Sequence, residues 1–333
     1  MPILTSVRPV IELAFDPITQ VGDLNVRLQT IALAVVILVA LLVAARIARR
    51  TPVDIGRSPD DIVAPTDPAE DDEPNHLRRD DLLYIVVASL PGAVVFGRLG
   101  YWLLHVDYYA ANPGAIVDIG QGGFQLSLAV IGGVLSASVV ASLLGAPVGR
   151  WLHAAIVPLL FAIAGGKLAM ALGGDGQGLP WDGALATAYT GPGPWLSLAP
   201  EVPSHPSQVY EALATVVVIA TLLAMLAGGA FRRRTGGVFL LGLAMWAVAR
   251  LFVAFTWRDP LVLGPLRMDQ VLSVGIALVA LVLLTVQVLR GRSGEAVWVR
   301  GDGEADRPAN ASTARPRVDG EPDWPDPTTR PRI

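Results

Sequence analysis

The chain has 333 residues, 53% of them hydrophobic and 16% charged, with no cysteine and a formal net charge of −4; its mean hydropathy is +0.52. That composition excludes an ordinary soluble domain and points to an integral membrane protein. The missing cysteine excludes a disulfide framework, a thiolate metal site and a cysteine nucleophile, and nothing in the charge distribution implies a nucleic-acid partner.

Residues 1–27 are mixed in character and lack the basic, apolar, small-residue order of a cleavable signal. We read them as an extracytoplasmic segment. Seven apolar runs follow, each near the roughly 20 residues that cross a bilayer as a helix. They lie at about 28–46, 82–105, 124–146, 152–173, 208–229, 237–257 and 270–289. The expected fold is therefore an all-α polytopic membrane protein with seven transmembrane helices across 28–291.

Arginines follow the first, third, fifth and seventh runs (Arg46, Arg49, Arg50; Arg150; Arg232 to Arg234; Arg290, Arg292). Asp107 to Gly123 and Gly174 to Pro206 contain no Lys or Arg, and the last outer loop has only Arg258 and Arg267. Basic residues mark the cytoplasmic side, which puts the N-terminus outside and the C-terminus in the cytoplasm. Residues 47–81 form an acidic, Pro-rich cytoplasmic loop expected to be disordered, and 292–333 a tail of the same character. The stretch 174–206 differs. Its glycines, prolines and aromatics suit a small extracytoplasmic head between helices 4 and 5, although a plain loop fits as well.

Polar groups at membrane depth are costly and usually line a bundle interior or a cavity. Lys167, the single lysine of the chain, lies in the fourth run; Arg250 lies in the sixth with no acid within a turn; Arg98 lies in the second. Three cations with few acids beside them suggest a phosphate site, and arginine's fork suits phosphate. Lys167 snorkelling to the interface is the plainer alternative. Glycine pairs at Gly132-Gly133, Gly165-Gly166 and Gly173-Gly174 suit close helix packing.

The densest polar run is His205-Pro-Ser-Gln-Val-Tyr-Glu211, ahead of an apolar helix. Pro206 suits a first turn, and Ser204 or His205 a cap. This run resembles the His-Pro-Ser-Gln-Leu-Tyr-Glu element of the prolipoprotein diacylglyceryl transferases, seven-helix enzymes of the bacterial cytoplasmic membrane. Gly97-Arg-Leu-Gly-Tyr101, Gly236-Gly-Val-Phe239 leading to Arg250, and Met268-Asp-Gln-Val-Leu-Ser273 extend the likeness over roughly Asn25 to Val288.

The resemblance implies transfer of a diacylglyceryl group from phosphatidylglycerol to the lipobox cysteine of a prolipoprotein signal peptide, in a multi-pass protein with its site facing outward. It implies no cofactor and no metal. The candidate catalytic residues are His205, Tyr210, Glu211, Asp175 and Arg250. Candidates for binding phospholipid are Lys167, Arg98, Arg250, Ser127, Gln208 and Gln270.

The sequence also departs from the family pattern. Lys167 and Asp175 stand where the family has arginine and glutamate, and Met170 and Gly173 replace two asparagines. Ser127 replaces a histidine, Gln29 a tyrosine, Ala254 a glutamate and Asp269 a glycine. A homologue that binds phospholipid or precursor without catalysis is therefore the alternative. A lipid transporter is a further reading, but no internal repeat or paired broken helices support it. Motifs of soluble enzymes, such as a nucleophile elbow or His-Glu-x-x-His, are absent from the sequence.

Overall fold

The computed structural model describes residues 10–51, 77–118, 123–231 and 236–305, with no side-chain description for residue 79 or 291–305. Helices dominate. Following a strand β1 (Ile11–Leu13) and a hairpin of β2 (Ile18–Val21) and β3 (Leu24–Arg27), the chain enters α1 (Leu28–Ala48). Next come α2 (Arg79–Leu104), a short α3 (Val106–Ala111) with a 3-10 turn at Pro113–Ile116, α4 (Leu126–Leu143) and α5 (Val148–Gly173). The strand β4 (Thr187–Tyr189) lies before α6 (Ser207–Ala227); α7 (Gly237–Val253), the hairpin β5 (Leu261–Leu263) and β6 (Leu266–Arg267), and α8 (Met268–Ala305) complete the order.

Six helices are long and apolar enough to cross a membrane, and α7 is a shorter apolar helix of 17 residues. Helix α2 begins ahead of its apolar run because Asp80 and Asp81 occupy its first turn, where the helix dipole favours acids. Helix α5 stops at Gly174, whose φ of 70° is left-handed; the amide of Asp175 then returns to the carbonyl of Met170 at 3.0 Å. Helix α8 runs on past the 292 boundary drawn from sequence, because its polar end continues the backbone ladder to Ala305. The acidic stretch 52–76, Arg232 to Arg234 and the tail from 306 lie outside the described residues.

The protein divides into two units, residues 1–287 and 288–333. The core of the first lies between α5, α6, α7 and α8, where Ile156, Leu160, Leu222, Val238 and Trp246 are buried with Ile276 and Ala280. Helices α2 and α4 cross so closely that a Cβ added at Gly132 would lie 2.3 Å from the carbonyl oxygen of Gly92 and 2.5 Å from Cβ of Phe96. Only glycine permits that approach. The N-terminal segment is part of the head. Strand β1 pairs in parallel with β4, matching Ile11 to Thr187 and Leu13 to Tyr189, and the Arg27 guanidinium donates to the carbonyl of Pro194 at 3.0 Å.

Because the α2–α4 contact has no room for a side chain, Gly132→Leu is expected to destabilise the protein by at least ~2 kcal/mol. Thermal unfolding in detergent measures this, with Gly114→Ala, where nothing lies within 4 Å of the added carbon, as the silent control.

Candidate functional site

The intramembrane cations are not left for an external anion: four helices bring their charges together. Lys167 lies nearly two turns before the end of α5, Glu211 one turn into α6, Arg250 in the last turn of α7 and Asp269 in the first turn of α8. At 1.5 Å per residue all four sit within roughly 10 Å of the helix ends that meet the head. The Lys167 ammonium is 3.0 Å from Glu211 Oε2. One nitrogen of Arg250 pairs with the other Glu211 oxygen, and its second pairs with Asp269. All four side chains are at most 9% exposed. Two cations and two carboxylates balance, which corrects the expectation of cations short of acids. The acids lie 39 and 19 residues from Arg250, beyond any local window. The Lys167 ammonium also lies 4.3 Å from the Trp257 ring centroid, so it is a buried partner and does not snorkel.

Asp269 joins a further group to this network. Its second oxygen accepts from Gln125 Nε2 at 2.5 Å, while Gln125 Oε1 accepts from the amide of Leu128 at 2.7 Å and so caps α4. Ser127 stands two residues on, fully buried. Among the described residues, Ser127 Oγ, Arg250 Nε and Gln270 Nε2 belong to the buried side-chain atoms with no hydrogen-bond partner; others, such as Trp151 Nε1 and Thr187 Oγ1, lie elsewhere, whereas these three lie on or beside the charge network. Gln270 has a structural role as well: its Oε1 accepts the amide of Arg267 at 2.8 Å and caps α8.

Arg98 has a different role from the expected phosphate ligand. Its guanidinium donates to the carbonyls of Ile116, Gly123, Ala115 and Asp118 and lies 5.5 Å from the Tyr109 ring centroid. It fastens Ala115, Ile116, Asp118 and Gly123 onto α2, with its fork donating to their backbone oxygens.

The remaining candidates lie above the charges, at the head. The His205 ring stacks on Trp181, centroids 4.3 Å apart, and meets the Tyr210 ring edge-on at 6.1 Å. Its backbone is held on both sides, its amide to the carbonyl of Leu179 at 3.0 Å and its carbonyl to the amide of Gly178 at 2.8 Å. Burial lowers the His205 pKa, so the ring is neutral at neutral pH, and its Nδ1 is buried without a partner. Gln208 donates to the Tyr189 hydroxyl at 3.1 Å. Burial, first, and then the charge of Asp175 push that phenol up to about 12, which removes Tyr189 as a base. Asp175 thus acts on the head side, through Tyr189. Trp257, Met170 and Gln208 crowd around Gly176 and connect the head to the charged layer below.

Arg258 ties the α7–α8 loop to the head. It donates to the Gly178 carbonyl and, at 2.9 Å, to Ser204 Oγ; Ser207 Oγ lies 2.7 Å from Thr256 Oγ1. Next to it, Asp259 is pushed up to about 7, by burial first and then by the charge of Asp269 and a hydrogen bond with it, against the pull of Arg250 and Lys167. Gln125, Asp259, Asp269, Trp257 and Arg258 were not among the candidate catalytic or binding residues drawn from sequence. Asp269 and Arg258 lay within compared segments, but charge alone gave no reason to join them to Arg250 or to the head.

This arrangement defines a polytopic membrane protein with a buried, charge-balanced site beneath an aromatic head. The model of the prolipoprotein diacylglyceryl transferase family matches residues 17–286, and the chain belongs to that family. It is 27% identical over 227 residues to the phosphatidylglycerol–prolipoprotein diacylglyceryl transferase of Bacillus cereus, covering 65% of this chain and 79% of that protein. The enzyme of the same name from Bacillus mycoides is 27% identical over 229 residues, with 65% and 80% covered, and that from Bacillus anthracis 26% over 227, with 65% and 79% covered.

Two outcomes follow from the electrostatics. Glu211→Gln leaves two buried cations short of one negative charge and is expected to destabilise by about 3–5 kcal/mol, read by thermal unfolding in detergent. Asp259 keeps its proton in the folded state up to about pH 7, whereas 3.8 is the ordinary value. Its contribution to stability is therefore complete below about pH 4 and is lost as pH rises through about 7. Asp259→Asn is expected to flatten the fall in unfolding midpoint between pH 5 and pH 8.

Proposed function

We propose that this protein transfers the diacylglyceryl group of phosphatidylglycerol to the thiol of a lipobox cysteine in a prolipoprotein signal peptide, at the outer face of a bacterial cytoplasmic membrane. The observation that carries the reading is the set of unpaired buried donors on Arg250, Gln270 and Ser127 in the network that also holds Lys167, with the neutral His205 just ahead of the helix that carries Glu211. In the reaction the thiol loses its proton, sulfur attacks the glycerol carbon that bears the phosphate, the carbon–oxygen bond breaks, and glycerol phosphate departs. His205 accepts the proton, being neutral and unpaired at Nδ1. Arg250 and Lys167 offset charge on the departing phosphate, with Ser127 and Gln270 as hydrogen-bond donors. Tyr210 and Gln208 shape the passage between head and charges. Arg98 shapes the site from outside by holding residues 115–118 and Gly123, and Asp175 tunes the Tyr189 hydroxyl.

Seven crossings, with the segment before α1 outside, fit both the arginine pattern and two contacts. Strand β1 pairs with β4, and α1, α2, α4 and α5 lie between them, an even number of crossings. The amide of Leu179 reaches the carbonyl of Thr256 at 2.8 Å, so α6 and the 17-residue α7 both cross or neither does. Residues 28–291 are then the transmembrane domain, 1–27 and 174–206 the outer head, and 47–81 and 292–333 cytoplasmic.

The test is expression in a strain depleted of its own transferase, following the mass of a reporter lipoprotein. Diacylglyceryl attachment is expected, and His205→Asn is expected to lower its rate by about 100-fold or more. No attachment by correctly inserted protein overturns the reading; retained binding of phosphatidylglycerol would then identify a non-catalytic homologue.

A further inference from the structure

We infer that Asp269 is a positioning residue for Arg250, supplying from α8 a carboxylate that Arg250's own helix does not provide. The inference rests on the transferase reading for its activity measurement but not for its second readout. Arg250 is 4% exposed, and α7 carries no acid at all. One turn further on, where i and i+4 side chains share a face, stands Ala254. It is fully buried and clustered with Val253 and Trp257, against which Met170 and Tyr210 pack. At that position the chain carries only a methyl group packed beside apolar side chains, so Arg250's own helix offers it no charge.

Asp269 fills the electrostatic role from the neighbouring helix, and its geometry does more than neutralise. One oxygen binds Arg250, and the other accepts from Gln125, which caps α4 two residues before Ser127. Glu211 and Asp269 each take one terminal nitrogen of Arg250 and are anchored at their other oxygen, by Lys167 and Gln125 respectively, so Asp269 fixes the second prong of the fork and with it the direction in which the guanidinium lies. Asp269 also lies in the first turn of α8, where the helix dipole attracts a negative charge. With Arg250 Nε unpaired, a fixed fork means a fixed donor. Asp269 therefore governs the aim of Arg250 rather than touching substrate.

The test compares Asp269→Asn, Asp269→Glu and the double variant Asp269→Asn with Ala254→Glu, in full-length protein in nanodiscs. Turnover is measured with phosphatidylglycerol and a lipobox peptide, and thermal unfolding is measured in parallel. Asp269→Asn is expected to lower kcat about 10- to 100-fold with little change in KM, since misaim costs rate more than binding. Asp269→Glu, which keeps the charge, is expected to stay within a few-fold of wild type, and Ala254→Glu to recover at least part of the loss. An Asp269→Asn protein with unchanged kcat and unchanged midpoint overturns the inference. So does loss in Asp269→Asn that neither carboxylate-bearing variant relieves. If wild-type protein turns over no substrate, the functional reading falls, and the inference is decided by unfolding alone. Asp269→Asn must then lower the midpoint in wild type but not in an Arg250→Met background; equal effects in both backgrounds refute it.

Discussion

Four charges withdrawn from water must neutralise one another, and Glu211 is the group that makes this possible. It bridges Lys167 on α5 and Arg250 on α7. A lone cation at membrane depth costs several kcal/mol, and a cation paired across helices costs much less. The network therefore sets the relative positions of α5, α6, α7 and α8 at their head ends. Packing adds to this below, where Trp246 and Ile156 fill the core, but apolar contacts alone leave the rotation of a helix about its axis loosely determined in lipid. Charge pairing at fixed atoms removes that freedom.

The head depends on the same construction. It is one surface built from four chain segments: the N-terminal strand, residues 174–206, the start of α6 and the loop after α7. Arg258 and the Ser207–Thr256 contact hold the last two against the second. Since Ser207 and Glu211 lie one turn apart on α6, and Thr256 and Arg250 lie near the end of α7, the head is fastened to the helices that carry the charges. A displacement of the ion network would move His205 with it.

The helices were legible because hydropathy and arginine placement are local signals. Lys167, Arg250 and His205 to Glu211 were legible because polar groups in an apolar context stand out one at a time. Pairing was not. Arg250 meets acids 39 and 19 residues away, and Gln125 meets Asp269 across 144 residues. The β1–β4 ladder spans a similar separation, and its three-residue strands give too short a period to read. The departures from the family pattern were legible as isolated losses, yet in space they meet. A Cβ at Gly173 would lie 1.9 Å from Gln29 Oε1, so the small residue on α5 and the amide on α1 accommodate each other. Met170 and Ala254 likewise pack in one apolar cluster beside Trp257. Sequence reading counts substitutions singly, whereas packing couples them.

The coupling bears on where acid–base chemistry takes place. Both oxygens of Glu211 are held by cations, and Asp269 is bound to Arg250 and Gln125. In the reaction we propose, the proton acceptor lies in the head instead. There His205 is held neutral by burial, stacked on Trp181 and fixed through its backbone. In that proposed reaction the charged layer acts on the phosphate and the histidine above acts on the incoming nucleophile, and one short stretch, from His205 to Glu211, spans the two. Helix α6 begins at Ser207, so Glu211 lies about 6 Å along its axis from the first helical residue, while His205 stands before the helix on the head side, stacked on Trp181.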